Sequence, residues 1–490
     1  MFWKSILAAG TALAIVANTT PEAVAADPAA DVATAAPAAP AARVDGPVTG
    51  GKLGYPYAAS IVDLKPYGYT EAEYFVSGIA HAYQPAPGTT LTPDGRWTVA
   101  PGNAAPYKTR ILVRKPPAGK FNGTVIVEFM QEYFGTERDT NYRWNAEAIL
   151  RRGYGWVGVS LHHEGIDDPT PPRTFTYGGI SLTTGRTLAR WDPERYGSLS
   201  VPSSDLSYDI LSQVGRAIGP RRPTVAVDPF QGLKVRKLIA VGDTIAAQRL
   251  AIYINAVQPR DHVFDGFVLK DLTPSDLKLA KGVPTPTRQP LRKDVTAPVI
   301  VVETTTGLMN LGRQPEGPKL RFWEPAGSSH TTGPYMARVG KANLRDLGQD
   351  TGPCPVAANT FPMQYISSAA IVAVDIWTRT GRPAPSFPQI PVIGEGDKRT
   401  TPVDAYGNSL GGIRTPWVDV PVARYDWRGD CAGGSGRTYP FAAAQLHSLY
   451  GAPATYRLKF DAAAAAAERH GVLLPEDAET ARRAAAVFTW

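Results

Sequence analysis

The chain has 490 residues, of which 43% are hydrophobic and 19% charged. That is the composition of a folded globular protein, long enough for one large domain or two medium ones, and it excludes a chain dominated by disorder. The formal net charge of +7 comes from dispersed Lys and Arg, with only short clusters such as Arg221-Arg222 and Lys234-Val235-Arg236-Lys237, so no nucleic-acid partner is expected.

The first residues combine Lys4, an apolar run from Ile6 to Val16 and the small-residue stretch Ala23-Val24-Ala25. This pattern predicts a secretory signal over 1–25, because the apolar run falls short of the ~20 residues needed to span a bilayer. No later stretch is long and apolar enough to span, so the expected location is periplasmic or secreted, with no stable membrane span. Residues 26–47 are rich in Ala and Pro and read as a linker. In an oxidising compartment the only two cysteines, Cys354 and Cys431, are candidates for a disulfide. Such a bridge closes a long loop and contributes about 4 kcal/mol in the chain-entropy view. Two cysteines alone cannot make a four-ligand zinc site.

From residue 48 onward short β-like runs alternate with helical ones. "EAEYFVSGIAHAYQ" and "YKTRILVRKP" read as antiparallel strands that make a β-rich N-terminal part. "GTVIVEFMQ" predicts a buried strand over Thr124–Glu128, "NYRWNAEAILRRG" a helix, and Tyr154–Leu161 the next strand. Residues 165–232 are rich in Pro, Gly, Arg and Tyr, with one helical piece over Asp205–Gly219, and are expected to form a lid-like insertion. "KLIAV", "FDGFVLKD", "APVIVVETTTG" and "LRFWEPAG" follow, each short apolar strand leading into turn residues or a helical run. The predicted class is α/β, a mostly parallel central sheet flanked by helices, with ligands at the C-terminal strand ends.

The stretch "LIAVGDTIAAQRL" has the outline of a strand-to-helix turn that carries a nucleophile, because Gly242 and Ala246 are the small residues such a turn needs. Its central residue is Thr244. A threonine carries a hydroxyl that can act as a nucleophile. A β-branched residue at positive φ is an outlier, however, so the added methyl is expected either to strain the turn by about 1–3 kcal/mol or to relax it and move the oxygen.

The blocks "GTVIVEFMQ", "RRGYGWVGVS", "WDPERYGSLSVPSSDLSYDILSQVGRAI", "GDTIAAQRLAIYINAV", "FWEPAGSSH" and "DAYGNSLGGIRTPWVDVPVA", in this order, resemble the bacterial alpha/beta hydrolase domain family from about residue 50 to about 460. The resemblance implies an α/β-hydrolase fold and carboxylic-ester hydrolysis. Members of that family typically read Gly-Glu-Ser-Gln-Ser-Ala-Gly-Arg-Leu at the turn. Aligned on Gly242 and Arg249-Leu250, the family serine falls on Thr244. His330, in "WEPAGSSHTTG", stands where the family places its base. The family aspartate falls on Gly307, so the orienting acid has departed, and Glu303 and Asp271, at two adjacent strand ends, are the substitutes. Oxyanion stabilisation is expected from the backbone amide of Ile245 and from one at Met130 or Gln131.

His162 and His163 follow the strand ending near Leu161 and either line the same cleft or, the favoured reading, form a polar loop, with no H-E-x-x-H spacing for a metal. Trp191, Tyr208 and Trp323 are candidates to line an apolar cleft, or simply to pack the core. No G-x-G-x-x-G opens a helix after an early strand, so no cofactor is expected, and the expected partner is a small-molecule ester or other apolar ligand. Two functions stay open: an ester hydrolase acting through Thr244 and His330, and a catalytically inactive hydrolase-fold binding protein.

Overall fold

In the computed structural model the described residues are 39–490, except 178–179, 224–226, 274–275, 310–313, 350–357 and 430–433. The expected signal and both cysteines lie outside them. A nine-stranded sheet organises the rest. Its strands are β1 (Arg43–Asp45), β2 (Thr70–Pro85), β3 (Val99–Lys115), β4 (Thr124–Phe129), β5 (Gly155–Val159), β6 (Lys237–Asp243), β7 (Gly266–Lys270), β8 (Val299–Val302) and β9 (Leu320–Trp323). Their spatial order is β1-β2-β3-β5-β4-β6-β7-β8-β9. The first three strands and the β3–β5 pair are antiparallel, whereas every pairing from β5 to β9 is parallel.

The parallel strands are short and almost wholly buried, some of them as β-branched runs such as TVIVEF of β4 and VIVV of β8. A parallel sheet must be covered on both faces, and the alternation of side chains assigns each residue to one cover. Val125 and Val127 pack in the cluster that holds Tyr208, Leu211 and Leu250 from helices α2 (Ser207–Ile218) and α3 (Ile245–Ala256). Ile126 faces the other way, among Tyr142, Ile149 and Ile371 from α1 (Thr140–Arg151) and from a later helix over Met363–Thr380.

Two expectations about organisation need correction. Arg43–Asp45 lies inside the stretch read as a linker, yet it pairs with Phe75–Ser77 as an edge strand. Ala and Pro dominate the composition there, but Ala42 and Val44 alternate inward and are buried. Within the lid-like insertion, Ser207–Ile218 is a flanking helix of the core that packs on β2, and nearly every one of its residues is buried. That insertion also holds a hairpin (Thr174–Tyr177 and Ile180–Thr183) and short helical turns at Leu188–Trp191, Pro193–Tyr196 and Ser204–Leu206. Among the described residues no helix is long and apolar enough to cross a membrane.

Under the antiparallel strands lies a fully buried ionic network. Arg110 reaches Glu73 at 2.7 Å and Glu137 at 3.2 Å, and Arg195 reaches Glu73 at 2.6 Å. Desolvated charges of this kind persist only when paired.

Candidate functional site

The C-terminal ends of β6, β7 and β8 lie side by side, and one backbone hydrogen bond per step locks each exit to the next. The Thr244 N–H donates to the Lys270 carbonyl at 3.0 Å, Asp271 N–H to Val302 at 3.0 Å and Glu303 N–H to Trp323 at 2.8 Å. The three exits, with the loop after β9, therefore hold Thr244, Asp271, Glu303 and His330 on one edge of the sheet, where ligands of such sheets bind.

Thr244 sits at φ 51°, ψ −110° between the end of β6 and the first residue of α3. The added methyl has not relaxed the turn. Two close approaches explain why: a Cβ on Gly242 would lie 2.7 Å from the Ala246 carbonyl carbon, so helix and strand are drawn together, and the helix begins immediately at Ile245. As the first residue of that helix, Ile245 has an N–H without an intrahelical acceptor, and it points where a helix N-terminus favours negative charge. The Thr244 hydroxyl donates to Asp243 Oδ1 at 2.7 Å. Among the described residues no hydrogen bond joins it to His330.

His330 Nδ1 is 2.5 Å from Asp271 Oδ2. Of the two candidate acids it is Asp271 that meets the ring. A carboxylate at Nδ1 fixes the proton there and leaves Nε2 as the basic nitrogen. Both Asp271 oxygens are fully engaged: Oδ1 accepts from the Thr304 N–H at 2.9 Å and the Thr304 hydroxyl at 2.6 Å, and Oδ2 also accepts from Lys270 Nζ at 2.6 Å. Burial alone would raise the pKa of Asp271, but the charges of Lys270 and His330 and their hydrogen bonds outweigh it and hold the carboxyl below its usual range.

Lys270, at the end of β7, went unnoticed in the sequence. Its side chain is 1% exposed; Nζ lies 2.6 Å from Asp271 and 3.3 Å from Asp243, donates to the His330 carbonyl at 3.2 Å, and stands 5.1 Å from the Trp144 ring centre. Burial would lower its pKa, but Asp243 and Asp271 reverse that and raise it. A charged residue closing an apolar strand is the one signal that could have found it. Asp243, Asp271 and His330 offer donor atoms within 4.8 Å of one another, a set able to hold a metal ion. The Lys270 ammonium already supplies the positive charge between those carboxylates.

Glu303 is buried, and among the described residues no side chain hydrogen-bonds its carboxyl oxygens. Burial, aided by the nearby Asp271, pushes its pKa well up, and it does not touch the imidazole. Met130 and Gln131 follow β4. The Met130 N–H is taken by the Val159 carbonyl at 3.2 Å, whereas Gln131 opens a small hairpin in which it faces Arg138. α3 packs against that hairpin.

His162 departs from the polar-loop expectation. It is 2% exposed, lies 5.1 Å from the Phe129 ring, and its Nε2 has no partner; burial, with the charge of Arg249, pushes its pKa down to about 3. His163 remains partly exposed beside Asp167 at 3.1 Å. Tyr208 and Trp323 are fully buried in the two core clusters, and Trp191 packs edge-on against Tyr55 and Tyr57.

Several solved structures are similar at 10–11% identity. An alpha-beta serine hydrolase homologue from Coxiella burnetii (10% identity) matches over 49% of this chain and 92% of its own with a TM-score of 0.26. A serine hydrolase without a lid from Xanthomonas campestris (10% identity) matches over 63% and 94% with a TM-score of 0.23. The esterase Est22 with p-nitrophenol (11% identity) matches over 63% and 80% with a TM-score of 0.29. At these TM-scores none of them carries an argument about mechanism. No curated protein matches the sequence. The alpha/beta hydrolase domain profile matches residues 44–483, nearly the whole described chain and every residue of the site. The chain is a member of the alpha/beta hydrolase domain family.

Proposed function

We propose that the protein is a carboxylic-ester hydrolase with Thr244 as nucleophile, His330 as base and Asp271 as the acid that orients it. The observation that carries this reading is the backbone of Thr244. A β-branched residue at φ 51°, ψ −110° is costly, and such strain persists where the surrounding structure over-determines it, typically at reacting positions. The ester carbonyl is attacked by Thr244 Oγ1 while the hydroxyl proton passes to His330 Nε2. The imidazolium so formed is stabilised by Asp271 and then returns the proton to the leaving alkoxide. Water repeats the sequence on the acyl-threonine, releasing the acid. The oxyanion is received by the N–H of Ile245, because the Met130 N–H is engaged by Val159 and the Gln131 N–H by its hairpin pairing with Arg138. Attack requires the hydroxyl to turn from Asp243 to His330.

That same Asp243 bond supports a second reading, a binding protein that keeps the pocket without the reaction. A panel of short acyl p-nitrophenyl esters decides between them. Cleavage by the wild type that is lost in Thr244→Ala and His330→Ala supports the hydrolase. A rate equal to background, or one unchanged in Thr244→Ala, removes it.

The N-terminal run supports an exported location. This is tested by the N-terminal sequence of protein recovered from the periplasm, where an intact Met1 would refute it. Export would favour a Cys354–Cys431 bridge, which alkylation with and without reductant detects by mass.

A further inference from the structure

Resting on the hydrolase reading, we propose that Arg138 is the anchor for a carboxylate carried by the ester substrate, so that the preferred substrates are half-esters of dicarboxylic acids. The other large buried arginines of this region are each neutralised. Arg110 has Glu73 and Glu137, and Arg143 has Asp139 at 2.6 Å. Arg138 stands between two acids in sequence and receives neither, because Glu137 turns to Arg110 and Asp139 to Arg143 and Arg114.

Among the described residues Arg138 makes no ion pair, and its Nε has no hydrogen-bond partner. Its guanidinium lies 5.1 Å from the Tyr133 ring centre, and the side chain keeps partial exposure. Burial lowers its pKa, and neighbouring Arg143 adds to that, the opposite of what carboxylates do for Arg110 and Arg143. Glu132 is the acid within electrostatic range. Its Oε1 is committed to the Gly135 N–H, and its pKa is pushed up to about 7, chiefly by burial, so its countercharge is incomplete at neutral pH.

The location ties this cation to the reaction. Arg138 faces Gln131 across the hairpin, and α3, which opens at the proposed oxyanion donor Ile245, packs against that hairpin, so the cation belongs to a segment in contact with the helix that leaves the turn. Tyr335 senses both Arg138 and Asp243, the neighbour of Thr244. A half-buried guanidinium without an anion favours the capture of one, and its planar fork matches a carboxylate in a bidentate pair.

Two measurements test this on the full chain: proton-release assays of monoethyl glutarate against ethyl butyrate, and calorimetric titration of glutarate. The wild type is expected to favour the half-ester by about tenfold or more in kcat/KM and to bind glutarate. Arg138→Gln brings the ratio near one and abolishes glutarate binding, and Arg138→Lys keeps part of both. Thermal unfolding of each variant establishes that it folds. Cleavage of both esters at equal rates, with no glutarate binding, overturns the anchor and leaves the hydrolase standing. Glutarate binding that Arg138→Gln abolishes, without cleavage of either ester, keeps the anchor and overturns the hydrolase. Half-ester preference that survives Arg138→Gln in a folded variant overturns the anchor.

Discussion

The Glu303 carboxyl occupies the space that a side chain at residue 307 would need: a Cβ built on Gly307 would overlap Glu303 Oε1 and lie 3.2 Å from Asp271 Oδ1. The glycine is therefore a condition of the arrangement, because it gives Glu303 its room beside Asp271. Gly307→Ala is expected to destabilise the fold by about 1–3 kcal/mol through overpacking, and by much less in a Glu303→Ala background. A double-mutant cycle of urea midpoints measures the coupling. Additive effects would show that the two residues do not compete for one space.

The two acids are then separable by function. Asp271→Asn should cost on the order of 10⁴ in turnover, because an amide at His330 Nδ1 favours the wrong tautomer. Glu303→Gln keeps a group of the same shape at a residue whose pKa burial already pushes well up, and should leave kcat/KM within about threefold. The reverse ranking in ester cleavage would return the role of orienting acid to Glu303.

Thr244→Ser removes the methyl while keeping the hydroxyl at φ 51°. Relief of the β-branched strain should raise stability by about 1 kcal/mol and increase kcat. Differential scanning calorimetry and steady-state kinetics measure the two effects. A lower Tm in the serine variant would mean that the methyl contributes packing that outweighs its strain.

Much of this was legible before the structure. Gly242 and Ala246 marked the turn because close strand-to-helix approach needs small residues at fixed spacing; Asp271 was readable, beside Glu303, as a carboxylate ending an apolar strand, and His330 through the family resemblance of the block around it. Lys270 was not, because adjacent residues in a strand normally face opposite sides, and only the positive φ of Asp271 (50°) brings the two side chains onto one cluster. Arg138 was hidden for a different reason: sequence places it between Glu137 and Asp139, and only the fold shows both acids turned to other arginines. The edge strand at Arg43–Asp45 was masked by its Ala/Pro-rich surroundings, since three residues are too few to set a period.

Lys270→Met should leave Asp243 and Asp271 facing one another without the ammonium, at a cost of about 3–5 kcal/mol. The sign of the pH effect follows from what holds Asp271 ionised. With Lys270 present its folded pKa is below the unfolded value of about 4. Its contribution to stability is therefore present above that value and lost as the pH falls through the folded one. Without Lys270 burial prevails, the carboxyl holds its proton to higher pH, and the acid limb of the cleavage profile should move upward. Asp243→Asn, which keeps the ammonium on Asp271, should leave that limb in place. An unmoved limb in a folded Lys270→Met would remove Lys270 from the electrostatics of the site.

His162 carries the last pH signature, one that any folded preparation can report. Its pKa is pushed down to about 3 by burial and by Arg249, whereas the unfolded chain titrates near 6.5. Below about pH 6.5 the unfolded state takes up a proton that the folded state refuses, so stability falls as the pH drops toward 3. At pH 4.5 the loss from this one residue is about 3 kcal/mol at most, from the two pH units below the unfolded value. His162→Phe keeps an aromatic ring against Phe129 and removes an Nε2 that has no partner. The variant should therefore lose less stability than the wild type between pH 6.5 and 4.5 in urea titrations. Equal slopes for the two proteins over that range would mean that His162 takes a proton in the folded state, which Arg249 beside it opposes.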